Sequence, residues 1–296
     1  MDKKAMEKYK EAGKIAAKAR KFGKELIEEG TSYKKIVEET EKKIRDLGGG
    51  IAFPVNLSVN EVGAHDTADV KEKRQIKKGL VKLDVGVHIN GFIGDTAVTV
   101  PVGTNKEGMI EASEEALSNA IEMMKPGNEI GEISAEIEKT IRDHGYTPVR
   151  NLTGHGLGKF DLHAKLQFPN VKTDVDYELE KGDVFALEPF TTDGTGKVIE
   201  SDRVLVYRWN KKKSVRSREG RKILKMAKKD FNKLPFAKRW LTEKVSKLKL
   251  NLALRQLTER NALYKYPVLK EAGGGDIAQA EHTVIVDEKP EVTTKI

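Results

Sequence analysis

Cysteine is absent from the 296 residues. That excludes a disulfide framework, a thiolate zinc site, an iron–sulfur cluster and a thiol nucleophile, so any metal must be held by carboxylates and the six histidines. Long apolar runs are also missing. The longest β-rich apolar stretch, Ala97 to Val102, falls far short of the roughly 20 residues a bilayer span needs. The opening Met-Asp-Lys-Lys-Ala-Met has no apolar core behind its charges. A soluble, cytoplasmic chain without membrane contact is expected. What is present is 38% hydrophobic and 34% charged sequence, enough for a sizeable core in one large domain or two modest ones.

Acidic residues are scarce in one segment. Residues 208–249 hold 17 Lys and Arg against only Glu219, Asp230 and Glu243, a net charge of +14, which leaves the remainder at −6. An acidic body thus carries one basic insert. Such a segment is either a solvated helical face or an electrostatic footprint for RNA or a ribosome surface, which neutralising Lys211, Lys212 and Lys213 would erase.

Periodicity organises the rest. Met6, Tyr9, Ala12, Ile15, Ala16, Ala19 and Phe22 form a 3.6-residue stripe that predicts a helix over 4–29, ending at Gly30. Thr31 and Ser32 can cap a second, which Gly48-Gly49-Gly50 stops. A third helix is expected from Glu111 to Met124, and a fourth carries Ile130, Ile133, Ile137 and Ile141 up to Gly145. Residues 211–264 read as a basic helical insertion subdomain, with 1–210 and 265–296 forming the body. Ala278 to Val286 reads as a strand.

The clearest strand is Leu80–Ile89, where Val81, Leu83, Val85 and Val87 alternate with Lys82, Asp84, Gly86 and His88. Asn90-Gly91 is a strong hairpin turn, and Phe92 to Val100 returns. A two-residue turn there sets Gly86 opposite Asp95 and Asp84 opposite Ala97, so Asp84 and Asp95 share one face on a diagonal of roughly 7–8 Å. Two such carboxylates repel, and a cation between them is the natural compensation. Elsewhere, Gly154-His155-Gly156 puts an imidazole among glycines, Glu188 ends an apolar strand before Pro189, and Glu281 lies within strand-like sequence that hides it from water.

Taken in order, Asp84, Asp95, Gly-His155-Gly, Glu188-Pro and Glu281-His-Thr resemble the five metal ligands of the pita-bread metallopeptidases, and within them the type 2 methionine aminopeptidases of compact archaeal form. The resemblance extends over Ala52-Phe53-Pro54-Val55-Asn56, Asn60, Gly158 through His163 and Tyr266-Pro267. It implies an α+β pita-bread fold: a curved antiparallel sheet with paired helices outside, in two pseudo-symmetric halves, plus a helical insertion. It also implies two divalent ions (Co²⁺, Mn²⁺, Fe²⁺ or Zn²⁺), with Asp84 chelating one, His155 and Glu188 holding the other, and Asp95 and Glu281 bridging. A hydroxide generated between the ions would attack the peptide carbonyl, Glu188 would shuttle the proton, and His65 and His163 would flank the substrate. Phe53, Leu162 and Tyr266 would line the methionine pocket. The substrate implied is the N-terminus of a nascent polypeptide with a small second residue, and the family default is a monomer.

Rival readings are an Xaa-Pro peptidase of the same fold and a non-catalytic pita-bread module that binds RNA or a ribosome. His88, His144 and His282 are expected to be structural. Two features depart from the pattern or bear on the pocket. Asp66-Thr67-Ala68-Asp69 follows His65 where a tyrosine and a proline are expected, and Glu271-Ala-Gly-Gly-Gly275 predicts a flexible segment beside Tyr266.

Overall fold

The computed structural model describes residues 1–211, 213 and 215–296, so Lys212 of the basic run lies outside the described residues. The first half begins with two helices, α1 (Lys3–Glu25) and α2 (Tyr33–Asp46). Asp2 caps α1 by accepting the Ala5 N–H at 2.7 Å, and Ser32 caps α2 as its position suggests. The stop of α1 is earlier than Gly30, because Leu26 and Ile27 leave the helical axis to fold into the core between α2 and the sheet. Strands β1 (Gly50–Val59), β2 (Val62–Ala64), β3 (Gly79–Ile89) and β4 (Phe92–Val102) follow, with β1, β3 and β4 forming one antiparallel sheet. Val81, Leu83, Val85 and Val87 point from β3 into the helices, burying against Ile15, Ile36, Val37 and Ile44. Helix α1 crosses β4 where Gly13 meets Gly94, and a Cβ on Gly94 would stand 2.5 Å from the Gly13 nitrogen. Only glycine permits that approach.

The second half repeats the plan. Helices α3 (Glu107–Glu122) and α4 (Ile130–Asp143) precede β5 (Thr147–Pro148), β6 (Thr153–Gly158), β7 (Asp161–Pro169), β8 (Val184–Leu187) and β9 (Phe190–Thr192). Helix α3 starts a turn before the predicted Glu111, with Met109 and Ile110 already buried. The four predicted isoleucines of α4 bury against Phe168, Phe185 and Leu187.

A long strand β10 (Val198–Trp209) then leads out to α5 (Arg218–Lys229), β11 (Phe236–Ala237), a 3₁₀ turn (Lys238–Glu243) and α6 (Lys247–Glu259). These pack around Ile223, Leu250, Leu254, Leu257 and Phe236. The chain returns along β12 (Leu263–Glu271), which pairs with β10 so that Leu263 faces Trp209 and Tyr264 faces Arg208. Last come β13 (Ile277–Gln279), β14 (His282–Ile285) and β15 (Glu291–Val292). Every strand pairing among the described residues is antiparallel.

Two expectations need correction. Ala278 to Val286 is not one strand: β13 pairs with β9 and β14 with β8, and the change of partner falls at Ala280–Glu281. Glu281 therefore sits in a gap between strands, bridged to Ala97 by two backbone hydrogen bonds of 3.3 Å. Nor is 271–275 loose. The Glu271 carboxylate accepts N–H groups from Thr195, Gly273 and Gly275 and the Thr195 hydroxyl, tying the glycine run down.

Candidate metal centre

The Asn90-Gly91 turn sets the register expected of it, Gly86 against Asp95 and Asp84 against Ala97. The opposite half approaches this hairpin at the gap in the β13–β14 segment. There, threonines take over the hydrogen bonding that an interrupted ladder leaves open. Thr283 Oγ1 accepts the Asp95 N–H at 2.7 Å and donates to the Asp95 carbonyl at 2.9 Å. The Thr96 hydroxyl donates to the Glu281 carbonyl at 2.8 Å, and Thr99 exchanges two bonds with the Gln279 backbone. Arg20 of α1 donates to Thr96 Oγ1 and, at 3.5 Å, to the Glu281 carbonyl. Asp95 and Glu281 are thus fixed through their own main chains.

His155 enters from β6, whose glycines let the strand lie close to its neighbours: a Cβ on Gly154 would meet the Ala186 carbonyl oxygen at 2.5 Å. Ligand atoms of Asp95, His155 and Glu281 all lie within 4.8 Å of one another, and all three residues are buried. Asp84 and Glu188 stand outside that triad but line the same cavity, of about 480 Å³. Glu188 Oε1 is 3.7 Å from His155 Nε2, and its Oε2 accepts the Gln279 side-chain N–H at 3.1 Å.

The electrostatics are those of a site built for a cation. Burial comes first in raising the Asp84 carboxyl to about 7, against a partly opposing hydrogen bond from Gln279. Burial and then the Asp84 charge push Asp95 well above the carboxylate range. Glu188 and Glu281 rise by burial and then by their acidic neighbours, with Arg20 offsetting a little at Glu281. Desolvation lowers His155 to about 4, which leaves it neutral and able to ligate. Asp95 Oδ1, Glu281 Oε2 and His155 Nδ1 are buried without a hydrogen-bond partner. Buried polar atoms are rarely left so. Four acids and an imidazole, converging on each other with orphaned donor atoms, fit hard or borderline divalent ions.

With that geometry in place, comparison with known proteins decides the family. The sequence model of metallopeptidase family M24 matches residues 7–288. The chain belongs to that family. It is 45% identical to the methionine aminopeptidase of Pyrococcus horikoshii over 290 residues, 97% of this chain and 98% of that protein, and it is a hydrolase of the aminopeptidase kind. In fold it is similar to a thermophilic Arx1, with a TM-score of 0.88 at 16% identity, covering 99% of this chain and 91% of that one. It is also similar to the methionine aminopeptidase of Thermotoga maritima, with a TM-score of 0.74 at 24% identity and coverage of 100% and 98%. The pita-bread architecture is shared with both.

The remaining predicted residues of this M24 site gather at one end of the cavity. The His155 and His163 rings are 4.5 Å apart. His163 keeps an exposed edge, yet packed protein around the ring and the nearby His155, His65 and Arg208 hold its imidazole well below its ordinary value. Desolvation takes His65 to about 4, while its Nδ1 meets the Pro267 carbonyl at 3.0 Å. Phe53 touches His65, Tyr266 and His163, with centroids at 5.8, 5.3 and 6.3 Å. Leu162 and Tyr266 are buried in the same cluster. The three other histidines lie elsewhere: His88 accepts the Gly91 N–H, His144 contacts Glu115 and His282 contacts Thr294.

Sequence reasoning missed Gln279, whose amide reaches Glu188 and Asp84, and Asn56, which stands opposite Asp84 with its own Oδ1 orphaned. The signal for Gln279 is its place two residues before Glu281 in strand-like sequence, although the strand ends between them. Arg208 and Tyr264 also line the cavity, and nothing in the local sequence marks them.

Proposed function

We propose that this chain is a type 2 methionine aminopeptidase, which removes the N-terminal methionine from nascent polypeptides whose second residue is small. The observation that carries the reading is the shared cavity. A short apolar corner made by Phe53, Leu162 and Tyr266 opens directly onto the cluster of Asp84, Asp95, His155, Glu188 and Glu281, so a side chain held in the corner presents its own peptide bond to the cluster. An unbranched thioether suits such a corner. Asp84, Asp95, His155, Glu188 and Glu281 would hold the divalent ions, two of them in this reading. Bound there, such ions polarise a carbonyl and acidify a water molecule.

The chain's own residues do the rest. Glu188, its carboxyl beside His155, carries the proton towards the leaving amine. His163, at the mouth, donates to the scissile amide and to the oxygen as it gains charge. His65 presents Nε2 to the substrate while Pro267 occupies Nδ1. Gln279 keeps Glu188 and Asp84 aimed inward.

The test is release of the free N-terminal residue, methionine from Met-Ala-Ser and Met-Lys-Ser or alanine from Ala-Pro, by protein stripped of metal and then restored with Mn²⁺, Co²⁺, Fe²⁺ or Zn²⁺ singly. Metal-dependent cleavage of Met-Ala-Ser alone is expected. Cleavage of Ala-Pro would move the chain to the proline peptidases, and silence with every metal would leave a binding module.

The reading extends to a cytoplasmic monomer that meets its substrate at the ribosome. Lys211 and Lys213 are exposed, as are Leu248 and Leu252 on α6, at 91% and 61%. Exposed lysines and exposed apolar side chains in one basic insertion suit ribosomal RNA and its proteins. Ribosome binding should weaken steeply with salt and be lost on neutralising Lys211, Lys212 and Lys213, with tripeptide turnover unchanged. Salt-independent binding would refute it.

A further inference from the structure

The residues after His65, where the sequence departs from the family pattern, are pinned at every step. His65 itself has φ of +66°, in the left-handed region, a strained conformation for a non-glycine residue that persists only where its surroundings impose it. The surroundings do. The Asp66 carbonyl accepts the Leu57 N–H at 2.9 Å. The Asp66 carboxylate accepts two bonds from Arg74, at 2.6 and 3.2 Å, and the Tyr33 hydroxyl at 3.0 Å. The Thr67 hydroxyl donates to the Val55 carbonyl at 2.7 Å.

The last contacts come from the helical insertion. Arg239, buried in the 3₁₀ turn, donates from one nitrogen to Thr67 Oγ1 at 3.0 Å and to the Ala68 carbonyl at 3.3 Å, and from the other to Glu41 of α2. Trp240 Nε1 donates to the second Glu41 oxygen at 3.0 Å. One guanidinium therefore joins three parts of the chain: α2, the insertion, and the loop that sets the His65 backbone.

We propose that Arg239 is a positioning residue for His65, so that the insertion completes the substrate site by clamping Thr67 and Ala68 rather than merely attaching beside it. This rests on the reading above that His65 faces the substrate. A rigid fork is needed, since one end must satisfy Glu41 while the other holds Thr67. Lysine, a point charge on a flexible stem, cannot do both.

Removing Arg239 outright would strand Glu41 in the interior and risks the fold, so the test centres on Thr67. In Thr67→Val the hydroxyl that Arg239 grips is lost at nearly constant volume, and Thr67→Ser restores it. The Mn²⁺-restored protein is assayed for kcat and KM on Met-Ala-Ser as Thr67→Val, Thr67→Ser, Arg239→Lys, His65→Ala and the double variant Thr67→Val/His65→Ala. Histidine ring resonances are followed by NMR in the metal-free protein.

Expected are a loss in kcat/KM of about tenfold or more for Thr67→Val and Arg239→Lys, near-complete rescue by serine, and a shift of the His65 resonance in the valine and lysine variants but not in the serine variant. In the Thr67→Val background, removing His65 should add less than about a twofold loss, since both changes disable one group. Multiplying losses, an unmoved His65 resonance, or a serine variant no better than valine would overturn the proposal and leave Arg239 as cement. If His65→Ala by itself costs nothing, the substrate role of His65 fails. The resonance shift then still reports whether the clamp holds the ring.

Discussion

Two regions of this molecule bury charge, and they handle it in opposite ways. In the seam between α2, the 65–76 loop and the insertion, each buried acid has a matching base: Glu41 meets Arg239, and Asp66 and Glu72 meet Arg74. A cavity of about 960 Å³, larger than the metal centre's, opens beside Glu41 and Arg239, and its walls mix acids and bases in equal measure. In the 480 Å³ cavity, four carboxylates face one another beside three histidines kept neutral by desolvation, and donor atoms of two of these acids lack partners. Paired burial serves architecture, whereas unpaired burial of like charges is stable only with something the chain does not itself provide. Cavity size favours the seam, whereas charge balance favours the acidic cluster.

Substitution sharpens that contrast, most of all at the unmatched cluster. His155→Ala or Glu188→Ala should abolish turnover of Met-Ala-Ser while the circular dichroism spectrum and melting transition stay close to those of the parent. Turnover at the parental rate in either variant would remove that residue from the mechanism. In the metal-stripped protein the two regions should respond with opposite signs. Glu41→Ala strands a buried guanidinium and should cost about 3–5 kcal/mol in urea unfolding, while Asp95→Asn relieves repulsion and should raise the midpoint. Destabilisation by both would mean that the cluster is internally balanced after all. His163→Ala should be milder, lowering kcat more than it raises KM, because its contact strengthens as charge develops on the oxygen. An effect confined to KM would make His163 a binding residue only.

Much of this was readable in the chain itself, for definite reasons. The Asn90-Gly91 turn has one favoured loop length, and a two-residue loop leaves one register, so the diagonal of Asp84 and Asp95 followed from counting. Periodicity found all four body helices, but the end of α1 at Glu25 depends on where Leu26 and Ile27 find their partners. Local pattern carries no such information. The same limit hid the break at Ala280–Glu281, where strand-like sequence runs on while the strand changes neighbours. The Arg239–Glu41 pair spans 198 positions, and the residues between them give no hint of it. Asp66 was visible only as a departure; its meaning lies in Arg74, which wraps back over Tyr33 at 3.9 Å from the ring centroid.

The unfolding of the metal-stripped chain as a function of pH, with and without Mn²⁺, bears most directly on the claim that the cluster is an unmatched set of acids awaiting cations. Asp84 is raised to about 7 in the folded state, and its three acidic neighbours are raised as well. Between the ordinary carboxylate range near 4 and pH 7 these four acids therefore bind more protons in the folded chain than in the unfolded one, and their contribution to stability falls as pH rises through that window, while His65 and His155, lowered to about 4, contribute in the opposite sense. Mn²⁺ should cancel the fall, because bound ions replace the protons. The stabilisation by Mn²⁺ should therefore grow from pH 4 to 7, and a stabilisation that is absent or independent of pH would contradict the account.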